Sequence, residues 1–278
     1  MTSKDKRQNP RRGSSNSAPK RNKSGGAPRR AAKGQPPARE EQRIAKLLAR
    51  AGVASRREVE RMIGEGRIAI DGEVLETPAT LVKNLRGVTV DGKPVSPTEQ
   101  TRLFAFYKPR GCLTAERDPK GRRTIYDALP KGPNIPRLMP VGRLDYNTEG
   151  LLLLTNDGEF KRQLELPATG VPRTYRARAF GRVQQEQLEA LAEGVEIEGI
   201  RYGSIDANLE RSKGDNQWIQ MTLTEGKNRE VRRVLEYLGM EVSRLIRVAY
   251  GPFTTEGLVR GQLGEVDRDT IREFRASL

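Results

Sequence analysis

The 278-residue chain has no histidine and a single cysteine, Cys112. Without histidine, neither a Ser-His-Asp triad nor a Cys-His pair can operate. A lone cysteine with no histidine also excludes the usual zinc sites, so no metal is expected. It forbids an intramolecular disulfide, which fits a reducing, cytoplasmic setting. No apolar run approaches the ~20 residues that a membrane-spanning helix needs. The longest, residues 151–154, is strand-sized. The first residues are charged with no apolar stretch behind them, so no secretory signal is expected. No Gly-rich loop ends in Gly-Lys-Ser/Thr, which argues against nucleotide hydrolysis. Any chemistry must therefore run on Asp, Glu, Tyr, Lys, Arg, Ser or Thr.

Positive charge is abundant. Fifty-one Lys/Arg stand against 36 Asp/Glu, a formal net charge of +15, which points to a polyanionic partner. Residues 1–40 carry twelve of those cations against Asp5 and Glu40, with almost nothing to bury. Such a segment cannot offset its own ordering entropy, and a disordered basic tail that neutralises phosphates is expected there.

Residues 41–97 read as a compact module. Ile44, Leu47, Leu48 and Ala51 recur at helical spacing, and Gly52 ends the helix. Ser55 and Glu58 form a capping-box pattern that opens a second helix, with Val59, Met62 and Ile63 as its apolar stripe. Short strands are expected at 67–70 and 88–90, followed by the turn signals Asp71-Gly72 and Asp91-Gly92. The polar helix faces carry Arg43, Lys46, Arg50, Arg56, Arg57 and Arg61. The string 43–57 resembles the small two-helix RNA-binding domain first named for a small-subunit ribosomal protein. That resemblance implies docking on structured RNA, with Ser55, Arg56 and Arg57 near phosphate at a helix N-terminus.

Residues 95–101 read as a linker, and a second, α+β domain is expected over 102–278. Its strand candidates are 103–107, 151–155, 174–180, 218–223 and 242–248, and its helix candidates 159–166, 184–191 and 229–238. The densest segment is 140–158, a polar loop followed by a buried strand and a tight turn. Arg143 and Asp145 sit two apart in that loop. From the residues alone, Asp145 reads as a turn former or cap.

The string Gly142-Arg143-Leu144-Asp145-Tyr146-Asn147-Thr148-Glu149-Gly150-Leu151 resembles the signature loop of pseudouridine synthases, in the ribosomal RNA branch that carries a leading two-helix domain. Arg173-Thr174-Tyr175 and the segment 225–233 resemble two further motifs of that family, in the expected order. The resemblance spans roughly 41–275. It implies a catalytic domain built on a mixed, mostly antiparallel sheet, with Asp145 as the catalytic carboxylate, as attacker of the sugar or as proton abstractor. It implies Tyr175 against the target base, Lys227 as a buried cation paired with Asp145 in a site closed to bulk water, and Arg143 as a wedge or phosphate contact. Arg229, Arg232 and Arg233 are expected as RNA contacts or helix-surface charges. No cofactor is implied, because the isomerisation is redox-neutral. The implied partner is ribosomal RNA, most closely that of the large subunit, and the enzyme is expected to be a monomer. A non-catalytic rRNA-binding assembly factor is the rival reading of the same basic surface.

Overall fold

Ser55 caps the second helix as its position in the sequence requires. Its hydroxyl accepts from the Glu58 N–H at 3.2 Å in the computed structural model, which describes residues 41–95 and 100–278. The reciprocal half of the box is missing, because the Glu58 carboxylate pairs with Arg61 instead. Helices α1 (Ile44–Arg50) and α2 (Arg56–Gly64) bury Ile44, Leu48, Val59, Met62 and Ile63. These side chains pack on the short strands β1 (Ile68–Ile70), β2 (Glu73–Val74), β3 (Val88–Val90) and β4 (Lys93–Pro94), ordered β2-β1-β3-β4. The two-residue turns Asp71-Gly72 and Asp91-Gly92 join the hairpins with positive φ at all four residues, as a type I′ geometry demands. The expected basic tail lies outside the described residues, as does most of the linker.

The larger unit is a single nine-stranded sheet. In chain order its long elements are β5 (Leu103–Lys108), β6 (Thr148–Thr155), α3 (Gly158–Glu165), β7 (Arg173–Phe180), α4 (Gln185–Glu189), β8 (Ile205–Lys213), β9 (Asn216–Leu223), α5 (Glu230–Tyr237), β10 (Glu241–Tyr250), β11 (Leu263–Glu265) and α6 (Arg268–Ser277). The spatial order is β8-β9-β7-β10-β6-β5-β11. Every pairing is antiparallel except β10 with β6. β8, β11 and α6 had no counterpart among the sequence candidates.

That parallel seam joins the two halves of the sheet over three residue pairs: Leu245 with Thr148, Ile246 with Glu149, and Arg247 with Gly150. Gly150 has φ +101, and a Cβ there would lie 2.2 Å from the Arg247 carbonyl oxygen. Only glycine lets the strands approach so closely. Glu149 is buried and ties the seam with charge. Arg244 Nε donates to it at 2.5 Å, and Arg260 Nε lies 3.0 Å away. On one side of the seam α4 and α5 cover a core of Ala177, Ala179, Ile219, Met221, Val234 and Leu235. On the other, α3 and α6 cover Leu151, Leu153, Phe160, Leu164 and Ile271.

Candidate active site

The loop that feeds β6 sits at the mouth of the seam. It is polar, yet its backbone is held at almost every residue. Gly142 N donates to Glu165 at 2.6 Å. Thr114 Oγ1 accepts from Leu144 N and donates to Leu144 O. Tyr146 O accepts from Gly111 N. The principal fixing comes from Lys108. Its ammonium is buried and donates to three carbonyls, Asp145 O at 3.1 Å, Thr148 O at 2.9 Å and Pro109 O at 3.2 Å. Burial pushes the Lys108 pKa down, and nearby Cys112, Asp145 and Glu149 oppose that shift. A buried lysine normally needs a carboxylate; here carbonyl dipoles at a loop neck serve instead. Sequence reasoning passed over Lys108, although it ends an otherwise apolar strand immediately before Pro109, and that was its signal.

Asp145 is presented from this loop into a cleft of 1510 Å³, lined also by Arg143, Thr148, Arg173, Tyr175, Lys227, Arg229, Glu230, Arg232 and Arg247. The Asp145 side chain is 40 % exposed, so the cleft is open to water there, against the expectation of a closed site. Tyr175 projects from β7 on the face it shares with Ala177 and Ala179, packed against the core under α4 and α5 and against a further cluster that includes Phe106, Leu144 and Leu152. Arg143 is exposed beside it in the cleft and makes no ion pair among the described residues.

The cation beside Asp145 is not the expected one. Lys227 pairs with Glu225, two residues back, and its ammonium lies 5.8 Å from the Tyr202 ring centroid. Arg229 Nη1 approaches the Asp145 carboxylate instead, at 3.7 Å. Arg229 caps α5 with a left-handed φ of +53°, which turns the chain back toward the loop. Lys227 lies before that turn and finds its local acid first.

Arg232, one turn into α5, was expected at the surface, but it is 7 % exposed. It donates to Val242 O at 3.0 Å and reaches Asn147 O at 3.5 Å, and its Nε has no partner among the described residues. Burial lowers its pKa, with Arg229 adding to the effect and Asp145 opposing it. Arg232 is thus a buried cation of the site rather than a helix-surface charge. Arg233 is half-buried and contacts the Tyr202 hydroxyl at 3.5 Å, outside the cleft.

Three further charged groups complete the surroundings. Arg173 is buried and donates to Thr224 O, Glu225 O and the Tyr250 hydroxyl, so β7 fixes the loop that leads to α5. Arg247 is buried, donates to Leu151 O at 2.7 Å and leaves Nη2 without a partner. Glu230 is 4 % exposed. Burial raises its pKa, while one oxygen accepts from Lys227 N and the other has no partner. Near Asp145 positive charge therefore exceeds negative, which suits a phosphodiester chain with one carboxylate kept for chemistry.

The small domain contributes to the same cleft through Lys46, Arg50, Ser55 and Arg56. Two of these, expected on the RNA face, also hold the catalytic half. Arg50 lies 3.3 Å from the buried carboxylate of Asp157, the cap of α3, and Lys46 lies 3.8 Å from Glu159. Burial alone would raise the Asp157 pKa. The Thr101 hydroxyl, Arg50 and the N–H groups of Glu159 and Phe160 outweigh it and hold the carboxyl below its usual value. Arg61 is tied to Glu58 and Glu65 on its own helix. Arg43 and Arg57 are exposed and lie outside the cleft.

A pinned loop bearing one carboxylate, set among buried arginines beside a basic two-helix module, defines an RNA-directed enzyme fold of the kind the motifs indicated. The RNA pseudouridylate synthase profile matches residues 102–237, and the S4 domain profile matches 42–85. An uncharacterized RNA pseudouridine synthase of Rickettsia felis is 39 % identical over 84 % of this chain and 100 % of its own length. The ribosomal large subunit pseudouridine synthase B of Yersinia pestis is 42 % identical over 84 % of this chain and 75 % of that protein. The Salmonella typhi protein of the same name is 43 % identical over 81 % and 79 %. A pseudouridylate synthase crystal structure superposes with a TM-score of 0.58 at 26 % identity, covering 83 % of this chain and 98 % of that one. The chain belongs to the RNA pseudouridine synthase family, with an S4 RNA-binding domain preceding its catalytic domain.

Proposed function

We propose that the enzyme isomerises one specific uridine of large-subunit ribosomal RNA, with Asp145 as the catalytic carboxylate. The observation that carries this reading is the Asp145 loop, fixed by Lys108 and Thr114 and facing Arg229 and Arg232 in the cleft. Relatives named for the large subunit, at 42 % and 43 % identity, support the choice of RNA. In the reaction the bond from ribose to the uracil nitrogen breaks. The base turns over and rejoins through a ring carbon, that carbon loses its proton, and the freed nitrogen gains one. The arithmetic closes without oxidant, reductant or energy source, so the reaction calls for no cofactor.

Each residue then has a task that its position allows. Asp145 starts bond cleavage at the sugar, with the guanidinium of Arg229 beside it to meet the incoming phosphates. Tyr175 lies against the extruded base. Arg143, unpaired and planar, fills the space that the base vacates, offsetting part of the few kcal/mol that flipping costs. Ser55 and Arg56, at the N-terminus of α2, hold RNA phosphate at the far end of the same cleft, with Arg57 and Arg43 on the adjoining surface.

The test is a pseudouridine map of ribosomal RNA from cells lacking the protein, rescued with wild type or with Asp145→Asn. One large-subunit site should vanish, return with the wild type and stay absent with the variant. A map without change would contradict the reading, and a lost small-subunit site would move the target.

A further inference from the structure

On the sheet face away from the cleft, four neighbouring strands place one residue each in a single row: Arg211 on β8, Trp218 on β9, Arg178 on β7 and Arg244 on β10. The next row sets Arg176 beside Gln220. None of these residues lines the cleft. The guanidinium carbons of Arg176, Arg211 and Arg244 lie 5.2, 5.7 and 5.9 Å from the centroid of the half-buried Trp218 ring.

Cation–π attraction to the indole offsets part of this gathering of charge, but not all of it. Like charges directly opposite across strands destabilise a sheet, and Arg178 faces Arg244 in that way. Carboxylates relieve only part of the excess, Glu210 on Arg176 and Glu149 on Arg244. Arg178 and Arg211 are exposed and have no ion pair among the described residues. A solvated sheet face needs neither an indole nor two uncompensated guanidiniums beside it.

We propose that this face is a second RNA-contact surface, on which an unpaired base stacks against Trp218 while flanking phosphates pair with Arg178 and Arg211. Stacking on an aromatic platform edged by arginine is tolerant of base identity and suits single-stranded segments. The row spans three inter-strand gaps, about 14 Å, room for a short unpaired segment. An acidic protein segment would satisfy the guanidiniums but offers no planar ring to the indole. The inference rests on RNA as the substrate class. It adds a segment of that RNA distant from the target uridine, held by residues outside the chemistry.

Trp218 is the only tryptophan of the chain, so tryptophan emission, excited selectively over tyrosine, reports this face alone. The full-length protein is titrated with oligoadenylate, which contains no uridine to modify. Saturable quenching that weakens with added salt is expected. In parallel, the anisotropy of dye-labelled oligoadenylate is followed with the double variant Arg178→Glu/Arg211→Glu and with Trp218→Ala. Affinity should fall at least about tenfold in the first and about fivefold or more in the second. Bound RNA with unquenched Trp218, or quenching by polyglutamate but not by RNA, overturns the proposal. A protein that quenches yet forms no pseudouridine removes the reading of Asp145 and leaves this one standing; turnover with an unquenched Trp218 does the reverse.

Discussion

Two loops meet at the cleft, and they are built differently. Residues 142–148 are fixed from behind by the buried Lys108 ammonium, by Thr114 and by Glu165. Residues 224–229 are fixed at their start, where Arg173 donates to the carbonyls of Thr224 and Glu225, and at Lys227, whose N–H donates to Glu230, while the side chains of Lys227, Asn228 and Arg229 are left exposed. A carboxylate that must meet one bond of a sugar gains from a backbone that does not move. Cations that must follow a phosphate chain gain from side chains that do. The contrast separates chemistry from grip within a single cleft.

The contrast breaks most sharply at Lys108. Lys108→Met leaves three carbonyls, one buried and two partly buried, without their donor, which should destabilise the fold by about 3 kcal/mol. Turnover at saturating RNA should fall at least about 100-fold, read by denaturant melts and single-turnover assays on the same samples. Arg232→Gln keeps much of the side-chain volume but removes the buried charge near Asp145. It should lower the rate about 100-fold with intact RNA affinity, and an affinity loss alone would return Arg232 to the RNA-contact class. Arg229→Ala tests the exposed partner. About a tenfold loss of rate and a stability change within about 0.5 kcal/mol are expected, because the pair is solvent-screened. The smallest chemical effect belongs to Arg56→Glu/Arg57→Glu, which should raise KM and leave kcat within about twofold; an unaltered KM would remove the small domain from substrate docking.

Acid should loosen the small domain's hold on α3. In the fold the Asp157 carboxyl is held below the ordinary aspartate value of 3.8. Its contribution is therefore complete above pH 3.8 and is lost as pH falls through the lower, folded value. Asp157→Asn should flatten that part of the acid limb in a pH series of thermal melts.

Most of the strands and both small-domain helices were legible because each carries its own period: alternation at 174–180, helical spacing from Ile44 to Ala51, and Asp-Gly turns closing two hairpins. β8 was missed because only its first half alternates. Ile205 and Ala207 are buried, but the stretch from Glu210 to Lys213 is exposed and charged, and a register shift interrupts its pairing. The apolar stripe of α6 is sparse, with Ile271 its one buried residue. The seam between β10 and β6 depends on a parallel contact between segments about a hundred residues apart, which no local pattern announces.

At the site, the motif strings drew attention to Asp145, Tyr175 and the 225–233 segment, and of these Asp145, Tyr175 and residues 225–232 line the cleft. Side-chain pairing was another matter. Which of Lys227, Arg229 and Arg232 approaches Asp145 depends on a left-handed residue at the helix cap. The tertiary role of Lys108 depends on carbonyls nearly forty residues away.

The most direct test uses transcribed large-subunit RNA carrying tritium at the ring carbon through which the base rejoins, since that carbon must lose its hydrogen as the new bond forms. Wild-type protein should release one tritium equivalent per RNA. Asp145→Asn should bind the RNA with unchanged affinity and release none above background, a loss of about 1,000-fold or more. Release by Asp145→Asn within tenfold of wild type would contradict the account.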